Sequence, residues 1–316
     1  MRETGIQVLR SLKVRFRAKT PRPARTFACF VITMELDSGI IYAFAADLLK
    51  EDLGRGDLTT QTVIRGGAKA RGRFAANQDF VLCGLEIAEA VFATLDNSIV
   101  LESRVYDGEK ITSGAEFARI EGPATALLTG ERTALNIMQR LSGVATLTKA
   151  FVDRIEGTAA RIVDTRKTTP GLRLLEKYAV TVGGGFNNRF GLDDGVLIKD
   201  SHIALAGGVR RAVELARRGV PHLMKIEVEV ANQPHLREAI AGGADVIKLD
   251  CMSMDEIRES AKLIRAEAPG VIIEVSGGVT LENVSEFEAI GVDLISVDSI
   301  THSATAVDIS LKTRPL

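Results

Sequence analysis

The sequence has few cysteines, almost no net charge and no long apolar run, and each absence excludes a class of protein. Cys29, Cys83 and Cys251 are scattered and form no CxxC spacing, so neither a disulfide framework nor a zinc site is expected. The formal net charge is −1, which gives no support for nucleic-acid or membrane binding. No segment approaches the roughly 20 apolar residues that cross a bilayer. We therefore expect a protein of a reducing cytoplasm.

The charge is unevenly placed, because residues 1–33 are strongly basic. They carry eight lysines and arginines against one acid, Glu3. An arginine-rich, acid-poor leader is typical of a transit peptide, and it lacks the apolar core of a secretory signal. The alternatives are a disordered tail and a start codon assigned upstream of Met34. We favour these alternatives, since globular patterning begins near Met34, and we keep residues 1–33 out of the fold.

Residues 34–144 have the pattern of a small domain that contains a sheet. A helix is expected over residues 41–50, followed by a loop over residues 51–60, which contain two glycines. Short alternating segments between residues 68 and 120 surround another helix near residues 85–95. A longer helix is then expected to open near Thr129 and to run to Gly143.

Beyond residue 160 the pattern becomes one of alternating strands and helices. Amphipathic helix patterns cover residues 208–218, 233–241 and 253–267. Such alternation indicates a parallel sheet that is buried on both faces. Six strands without a dinucleotide-binding fingerprint favour a barrel, although the pattern also fits an open sheet. A further strand is expected at residues 304–312, where it can return to the first domain. The six apolar, β-branched runs are residues 161–165, 195–199, 225–230, 245–249, 271–276 and 293–297.

The carboxyl ends of these six runs carry most of the reactive side chains. In parallel α/β barrels this end of the strands forms the active face. Ordinary polar loops would also place charges there, but four cations, two separated acids and a glycine pair favour a binding site. The residues in question are Asp164, Thr165, Arg166, Lys167, Arg189, Lys199, Asp200, Glu229, Asp250, Ser276, Gly277, Gly278, Ser296 and Asp298.

The four cations suit ligands with several negative charges. Arg166 and Arg189 can each grip a carboxylate or a phosphate through two parallel hydrogen bonds. Lys167 and Lys199 can act as point charges for further anionic groups. We therefore expect two polyanionic ligands.

The remaining residues suggest that one of these ligands is a phosphorylated sugar. Backbone N–H groups of the glycine turn at residues 276–278 can face a phosphate. Glu229 and Asp250 would repel a phosphate directly, so they are better suited to ribose hydroxyls or to a Mg²⁺ ion that bridges phosphates.

At these residues the sequence resembles the nicotinate-nucleotide pyrophosphorylase (carboxylating) family, also called quinolinate phosphoribosyltransferase. The matching motifs include EDLGRGDLTT, DTRKTTPGLR, GGGFNNRFGL, DGVLIKDSHI and EVSGGV. In this order and spacing they are specific, and they span about residues 36–312. The matching stretches are residues 51–60, 131–148, 164–180, 183–192, 194–203, 227–230, 248–250, 274–279 and 295–304.

The resemblance implies a two-domain fold and a dimer. It implies an N-terminal α/β sandwich domain over residues 34–144, joined by residues 303–316, and an incomplete, about seven-stranded α/β barrel over residues 145–302. Family members form homodimers, or hexamers built from dimers, in which one N-terminal domain faces the partner's barrel. Arg132 matches the arginine that reaches the neighbouring subunit's site. Its expected place near a helix start, where the dipole disfavours cations, would fit such a role, and an ordinary solvated arginine is the alternative.

The resemblance also implies the reaction, in which quinolinate and phosphoribosyl pyrophosphate give nicotinate mononucleotide, CO₂ and pyrophosphate, in NAD biosynthesis. The residues matching quinolinate-binding positions are Arg132, Arg166, Asn188, Arg189 and Lys199. Those matching phosphoribosyl pyrophosphate-binding positions are Lys167, Glu229, Asp250, Ser276, Gly277, Gly278 and Asp298. Lys167, Glu229 and Asp250 would be catalytic, with Glu229 and Asp250 also holding Mg²⁺.

Three positions depart from the family pattern. Asn188 replaces a histidine, Ser201 replaces an asparagine, and Asp298 replaces a glycine near the 5-phosphate. A carboxylate beside a phosphate weakens binding unless it turns away or meets a cation. The alternative hypotheses are therefore a related phosphoribosyltransferase for another heteroaromatic acid, of the type associated with molybdenum transport, and a catalytically silent ligand-binding relative.

Overall fold

The computed structural model describes residues 34–316. The interpretation of residues 1–33 as a leader lies outside the described residues. Within residues 34–316 no helix is both long enough and apolar enough to cross a membrane.

The first part of the chain forms an antiparallel sheet packed against helices. Strand β1 pairs antiparallel with β5, and β5 pairs antiparallel with β3, while β2 and β4 form a separate two-stranded ribbon. The large apolar side chains between sheet and helices are fully buried, Phe74 and Phe92 among them. The elements are α1 (Ser38–Leu53), α2 (Leu58–Val63), β1 (Lys69–Ala76), β2 (Phe80–Val81), α3 (Leu85–Leu95), β3 (Val100–Ser103), β4 (Lys110–Ile111) and β5 (Glu116–Pro123).

The loop expected at residues 51–60 is shorter in the structure. Helix α1 continues to Leu53, and α2 begins at Leu58. The early start of α2 has a local cause, because the Asp57 carboxylate caps the helix by accepting the backbone N–H of Thr60 at 3.0 Å. Only the short glycine-containing link between the two helices remains a loop.

The next helix, α4 (Ala124–Arg154), is longer than the sequence pattern predicts. It begins before Thr129 and continues through Gly143, so both expected ends were wrong. Gly143 does not end the helix; it allows a close packing contact, since a Cβ there would lie 2.2 Å from the carbonyl oxygen of Thr305. Arg132 therefore lies about two turns inside the helix, where the dipole effect has faded, and the argument from its placement was wrong.

The second part of the chain forms a six-stranded parallel sheet surrounded by helices. Its order is β6-β11-β10-β9-β8-β7. The strands β6 and β7 are its two edges, and an isolated parallel bridge from Val163 to Phe186 extends the β6 edge. The elements are β6 (Arg161–Val163), α5 (Arg173–Val182), β7 (Val196–Ile198), α6 (Asp200–Ala206), α7 (Val209–Gly219), β8 (Ile226–Val230), α8 (Gln233–Gly242), β9 (Val246–Asp250), α9 (Met254–Glu267), β10 (Ile272–Ser276), α10 (Val284–Glu288), β11 (Leu294–Ser296), α11 (Ser299–His302) and β12 (Ile309–Pro315).

The expected fold class is confirmed, with an α/β fold, an antiparallel sheet near the N-terminus and a parallel sheet that does not close. Within residues 34–316 the parallel sheet has six strands and the additional bridge at Phe186, whereas a barrel of about seven strands was expected. The last strand, β12, pairs antiparallel with β1 over the register from Ala70↔Pro315 to Ala76↔Ile309. The C-terminal strand therefore completes the first sheet, although it begins later than the predicted residues 304–312.

Candidate active site

The parallel sheet brings the sequence-predicted strand-end residues to one edge. Arg166 and Lys167 follow β6, and Lys199 follows β7. Glu229 lies near the end of β8, while Asp250 and Ser276 end β9 and β10 in direct register with each other. All six strands run in the same direction, so their carboxyl ends form a single face.

One ion pair at this face joins β7 and β8. Lys199 Nζ lies 3.7 Å from Glu229 Oε2. Burial raises the pKa of Glu229, the nearby Lys199 ammonium opposes the increase, and the Asp250 carboxylate adds to it. Glu229 and Asp250 are therefore close enough to repel each other, which would favour a cation between or beside them.

A second ion pair joins the loops after β6 and β11. Lys167 Nζ contacts Asp298 Oδ2. Although burial favours the neutral carboxyl, hydrogen bonds from Lys167 and Thr165 lower the pKa of Asp298. The Thr301 hydroxyl lies 2.9 Å from the carbonyl oxygen of Lys167 and 3.1 Å from that of Asp298, both of which can accept its proton.

Arg166 and Arg189 form a cationic pair. The pKa of Arg189 is lowered, first by burial and then by the neighbouring Arg166 charge, while Glu227 and Asp194 act in the opposite direction. Arg166 Nε is buried and has no hydrogen-bond partner within residues 34–316. Two neighbouring guanidinium groups with an unpaired buried donor fit a site built for an anionic ligand.

The segment that carries Asn188 and Arg189 is held by a fully buried ion pair. Lys177 Nζ donates to Asp164 Oδ1 at 2.5 Å and to the carbonyl oxygen of Asn188 at 3.0 Å. Asp164 also accepts the backbone N–H of Asn188 at 2.8 Å. The Arg189 side chain is fixed in turn by its bond to the carbonyl oxygen of Gly195 at 2.9 Å. Asp164, one of the strand-end candidates, is therefore a buried residue that holds the Asn188 backbone in position. It does not point toward the face where a ligand would bind.

The glycine turn after β10 requires glycine for two separate reasons. Gly277 and Gly278 have φ values of 86° and 67°, a region that other residues rarely adopt. A Cβ on Gly277 would also lie 2.9 Å from Cys251 Sγ and 3.2 Å from the Cys251 nitrogen. The turn thus packs directly on the end of β9, beside Asp250.

Family models match most of the chain. The model of the quinolinate phosphoribosyl transferase C-terminal domain matches residues 144–312, and that of its N-terminal domain matches residues 57–142. The chain belongs to the quinolinate phosphoribosyltransferase family.

Individual relatives and solved structures are similar to this chain over most of its length. The probable nicotinate-nucleotide pyrophosphorylase [carboxylating] of Bacillus subtilis is 45% identical over 261 residues, covering 83% of this chain and 89% of the relative. The nicotinate-nucleotide pyrophosphorylase [carboxylating] of Mycobacterium leprae is 41% identical, covering 83% and 93%. The crystal structure of NadC from Streptococcus pyogenes superposes with a TM-score of 0.85 at 38% identity, covering 90% of this chain and 99% of that chain.

A buried charge cluster inside the parallel sheet of this family member was missed by the sequence reading. Lys248 Nζ lies 2.8 Å from Glu274 and 3.5 Å from Glu227, and Ser296 donates to Glu274. Burial and the nearby Glu274 carboxylate raise the pKa of Glu227 to about 7. The available signal was the presence of charged residues within three otherwise apolar strands, two each in β8 and β9 and one in β10.

A second missed group is the contact between Arg140 and Glu176. Arg140 donates to Glu176 Oε1 at 3.0 and 2.7 Å, to the carbonyl oxygen of Ala304 at 2.6 Å, and to that of Thr301. The fully buried Glu176 also accepts the backbone N–H of Thr169 at 3.0 Å. This group ties α4 to the loop after Lys167 and to α11. A charged residue on the apolar face of the predicted helix was its only sequence signal.

Arg132 is not brought to this face within one chain. It is exposed on α4, and no hydrogen bond or ion pair within residues 34–316 joins it to the strand-end residues. Nor do residues 34–316 contain a group of three or more histidine, cysteine, aspartate or glutamate side chains that could hold a metal ion. The other residues of the predicted substrate sites follow the strands, or the bridge at Phe186, whose carboxyl ends form the face described above.

Proposed function

We propose that this chain catalyses the transfer of a phosphoribosyl group from phosphoribosyl pyrophosphate to quinolinate, with release of CO₂ and pyrophosphate. The product would be nicotinate mononucleotide, so the reaction belongs to NAD biosynthesis, and we place it in the cytoplasm. The observation that carries the proposal is the pair of neighbouring guanidinium groups, Arg166 and Arg189, with a buried Nε on Arg166 that has no hydrogen-bond partner among residues 34–316. The names of the relatives, which cover most of this chain, support the same reaction.

The acceptor would be held by cations. Arg166 and Arg189 bind its carboxylates, each with two parallel hydrogen bonds, and Lys199 adds a further positive charge. Asn188 replaces the family's histidine and offers an amide for hydrogen bonding without a positive charge. This arrangement would fix the pyridine nitrogen relative to the ribose, and such positioning is a large source of rate acceleration.

The donor would be held by Lys167 and the glycine turn at residues 276–278. Glu229 and Asp250 would face the ribose, where their negative charge stabilises the cationic character that develops as pyrophosphate leaves. These two carboxylates also fit a Mg²⁺ ion. Such ions are commonly bound by only one or two carboxylates together with substrate phosphates, so a larger protein cluster is not required. When bound, Mg²⁺ would neutralise charge on the departing pyrophosphate.

No covalent enzyme intermediate is needed. The pyridine nitrogen uses its lone pair to form the new bond to the ribose carbon. The bond from that carbon to pyrophosphate breaks, and the pyrophosphate leaves with the bonding electron pair. Loss of CO₂ then leaves an electron pair beside the cationic ring nitrogen, and a proton from water completes the product. Cys251 is a poor nucleophile here, because its hydrogen bond to the Asp250 carboxylate and the charge of that carboxylate raise the pKa of its thiol.

The proposal includes a homodimer, or a hexamer built from dimers, in which Arg132 serves the neighbouring subunit. Arg132 is exposed on α4, and Leu128 lies one helical turn before it, 37% exposed. Leu58 and Val63 of α2 are 72% and 70% exposed, and α2 is tied to α4 by the hydrogen bond from Thr129 to Asp57. Exposed apolar side chains of this kind beside an exposed arginine support a subunit contact.

A second candidate is transfer to another heteroaromatic acid, which the Asn188 substitution favours. The test is a binding and turnover assay with the purified full chain, phosphoribosyl pyrophosphate, Mg²⁺ and either quinolinate or nicotinate. We expect nicotinate mononucleotide and CO₂ from quinolinate only. Binding of phosphoribosyl pyrophosphate without turnover of quinolinate would refute the first candidate in favour of the second. Failure to bind either ligand would favour a catalytically silent relative.

A further inference from the structure

The ammonium group of Lys167 is paired with a carboxylate of its own chain. Its partner is Asp298. The Lys167 side chain is 66% exposed, whereas the Asp298 side chain is only 26% exposed. The carboxylate is therefore the anchored partner, and the lysine is the one that can reach elsewhere.

The position of Asp298 is fixed by its neighbours. The Thr301 hydroxyl lies within hydrogen-bond distance of the carbonyl oxygens of both Asp298 and Lys167. Arg140 in turn donates to the carbonyl oxygen of Thr301. The loops after β6 and β11 are thus held together by side-chain hydrogen bonds to backbone carbonyl groups as well as by the ion pair, so the carboxylate cannot easily withdraw.

Asp298 and the glycine turn follow neighbouring strands. Strands β10 and β11 are neighbours in parallel register, with Val275 opposite Ile295. The turn at residues 276–278 and Asp298 therefore follow adjacent strands at the same end of the sheet. A phosphate bound at that turn would meet the negative charge of Asp298 as well as the positive charge of Lys167.

We propose that Asp298 is an internal competitor for phosphate: its carboxylate occupies Lys167 until a substrate phosphate replaces it. The inference rests on the proposed function, in which Lys167 binds a phosphate group. Every phosphorylated ligand then carries the same free-energy penalty for displacing Asp298. A ligand with many contacts, such as phosphoribosyl pyrophosphate, still binds, whereas inorganic phosphate is kept largely out of the site.

The first experiment measures binding by titration calorimetry with the full-length chain and its Asp298→Asn variant. Phosphoribosyl pyrophosphate with Mg²⁺ and inorganic phosphate are titrated separately, in the absence of quinolinate. Asp298→Asn is expected to lower both dissociation constants by roughly three- to tenfold, since it frees Lys167 and removes a repulsive charge. The dissociation constant of quinolinate should not change.

Asp153→Asn provides the matched control, because it removes the same charge from an exposed ion pair with Lys149 on α4. That end of α4 leads into β6 at the end of the strand opposite to Lys167. The control should bind all three ligands like the parent chain. Thermal unfolding of each variant verifies that it is folded.

A second pair of variants separates competition from simple repulsion. Lys167→Gln is compared with the double variant Lys167→Gln, Asp298→Asn. The gain in affinity from Asp298→Asn is expressed as the logarithm of the ratio of the two dissociation constants. If Asp298 acts by occupying Lys167, this gain should fall to less than half of its value once the lysine is absent. An equal gain in both backgrounds, no gain, or weaker binding by Asp298→Asn would each overturn the inference.

The outcomes also distinguish this inference from the proposed function. If Asp298→Asn does not change the binding of phosphoribosyl pyrophosphate, only the proposal that Asp298 competes with phosphate for Lys167 would be overturned. Failure of the parent chain to bind phosphoribosyl pyrophosphate at all would overturn the proposed function, and the competitor with it.

Discussion

The buried ion pair between Lys177 and Asp164 makes the site sensitive to a single neutral substitution. Both side chains are fully buried, and the pair holds the backbone of Asn188 from both its N–H and its carbonyl group. Lys177→Met fills similar space but leaves the Asp164 carboxylate buried without its cation. Removing one partner of such a pair costs about 3–5 kcal/mol. This is a large part of the roughly 5–15 kcal/mol that stabilises a typical domain.

The buried position of Asp164 also determines how the stability lost in Lys177→Met depends on pH. Burial raises the pKa of Asp164 to about 6 even though the charge and the hydrogen bond of Lys177 lower it. Removing the lysine should therefore raise the pKa of Asp164 further. A group whose pKa is raised on folding contributes stability at low pH, and that contribution is lost as the pH rises through the folded-state pKa. The destabilisation by Lys177→Met should therefore be larger at pH 7.5 than at pH 5.

The assay is urea unfolding of the parent chain, Lys177→Met, and the double variant Lys177→Met, Asp164→Asn at both pH values. The double variant should recover much of the lost stability at pH 7.5, because it removes the uncompensated charge. In the folded fraction of Lys177→Met, the KM for quinolinate should rise, since Arg189 is attached to the loosened segment. A loss below about 1 kcal/mol at pH 7.5 would refute the reasoning, as would a double variant no more stable than the single one.

Three further predictions concern single sites. Glu227→Gln should change how stability depends on pH: the pKa of Glu227 is raised to about 7, so its stabilising contribution is present below about pH 4.5 and is lost as the pH rises through 7. The free energy of unfolding of the parent chain, measured relative to that of the variant, should fall by on the order of 2–3 kcal/mol between pH 5 and pH 8, and a constant difference would contradict this. Asn188→His should lower the dissociation constant of quinolinate by adding a cation when protonated; an unchanged or weaker affinity in calorimetry would show that the position does not face this ligand. Gly143→Ala should destabilise the fold by about 1–3 kcal/mol, because the added Cβ would lie 2.2 Å from the Thr305 carbonyl oxygen. Gly219→Ala is its control, since no atom lies within 4 Å of the Cβ position, and chemical unfolding should show little change there.

The sequence by itself determined the parallel sheet and the residues at the carboxyl ends of its strands. Apolar β-branched runs separated by amphipathic helices have few ways to bury both faces of a sheet, and parallel strands must end at one edge. The positions of Arg166, Lys199 and Asp250 therefore follow from local pattern and chain direction. The family motifs that lie at these strand ends add the expected chemistry to that geometry.

Only the tertiary structure decided how the charged side chains are paired. Lys167 and Asp298 are separated by 131 positions in the chain, and Arg140 joins three elements that share no local pattern. Such contacts depend on how loops and helices pack after the sheet has formed. The length of α4 was decided in the same way, because packing against residue 305 gives a role to a glycine that local propensity treats as a helix end.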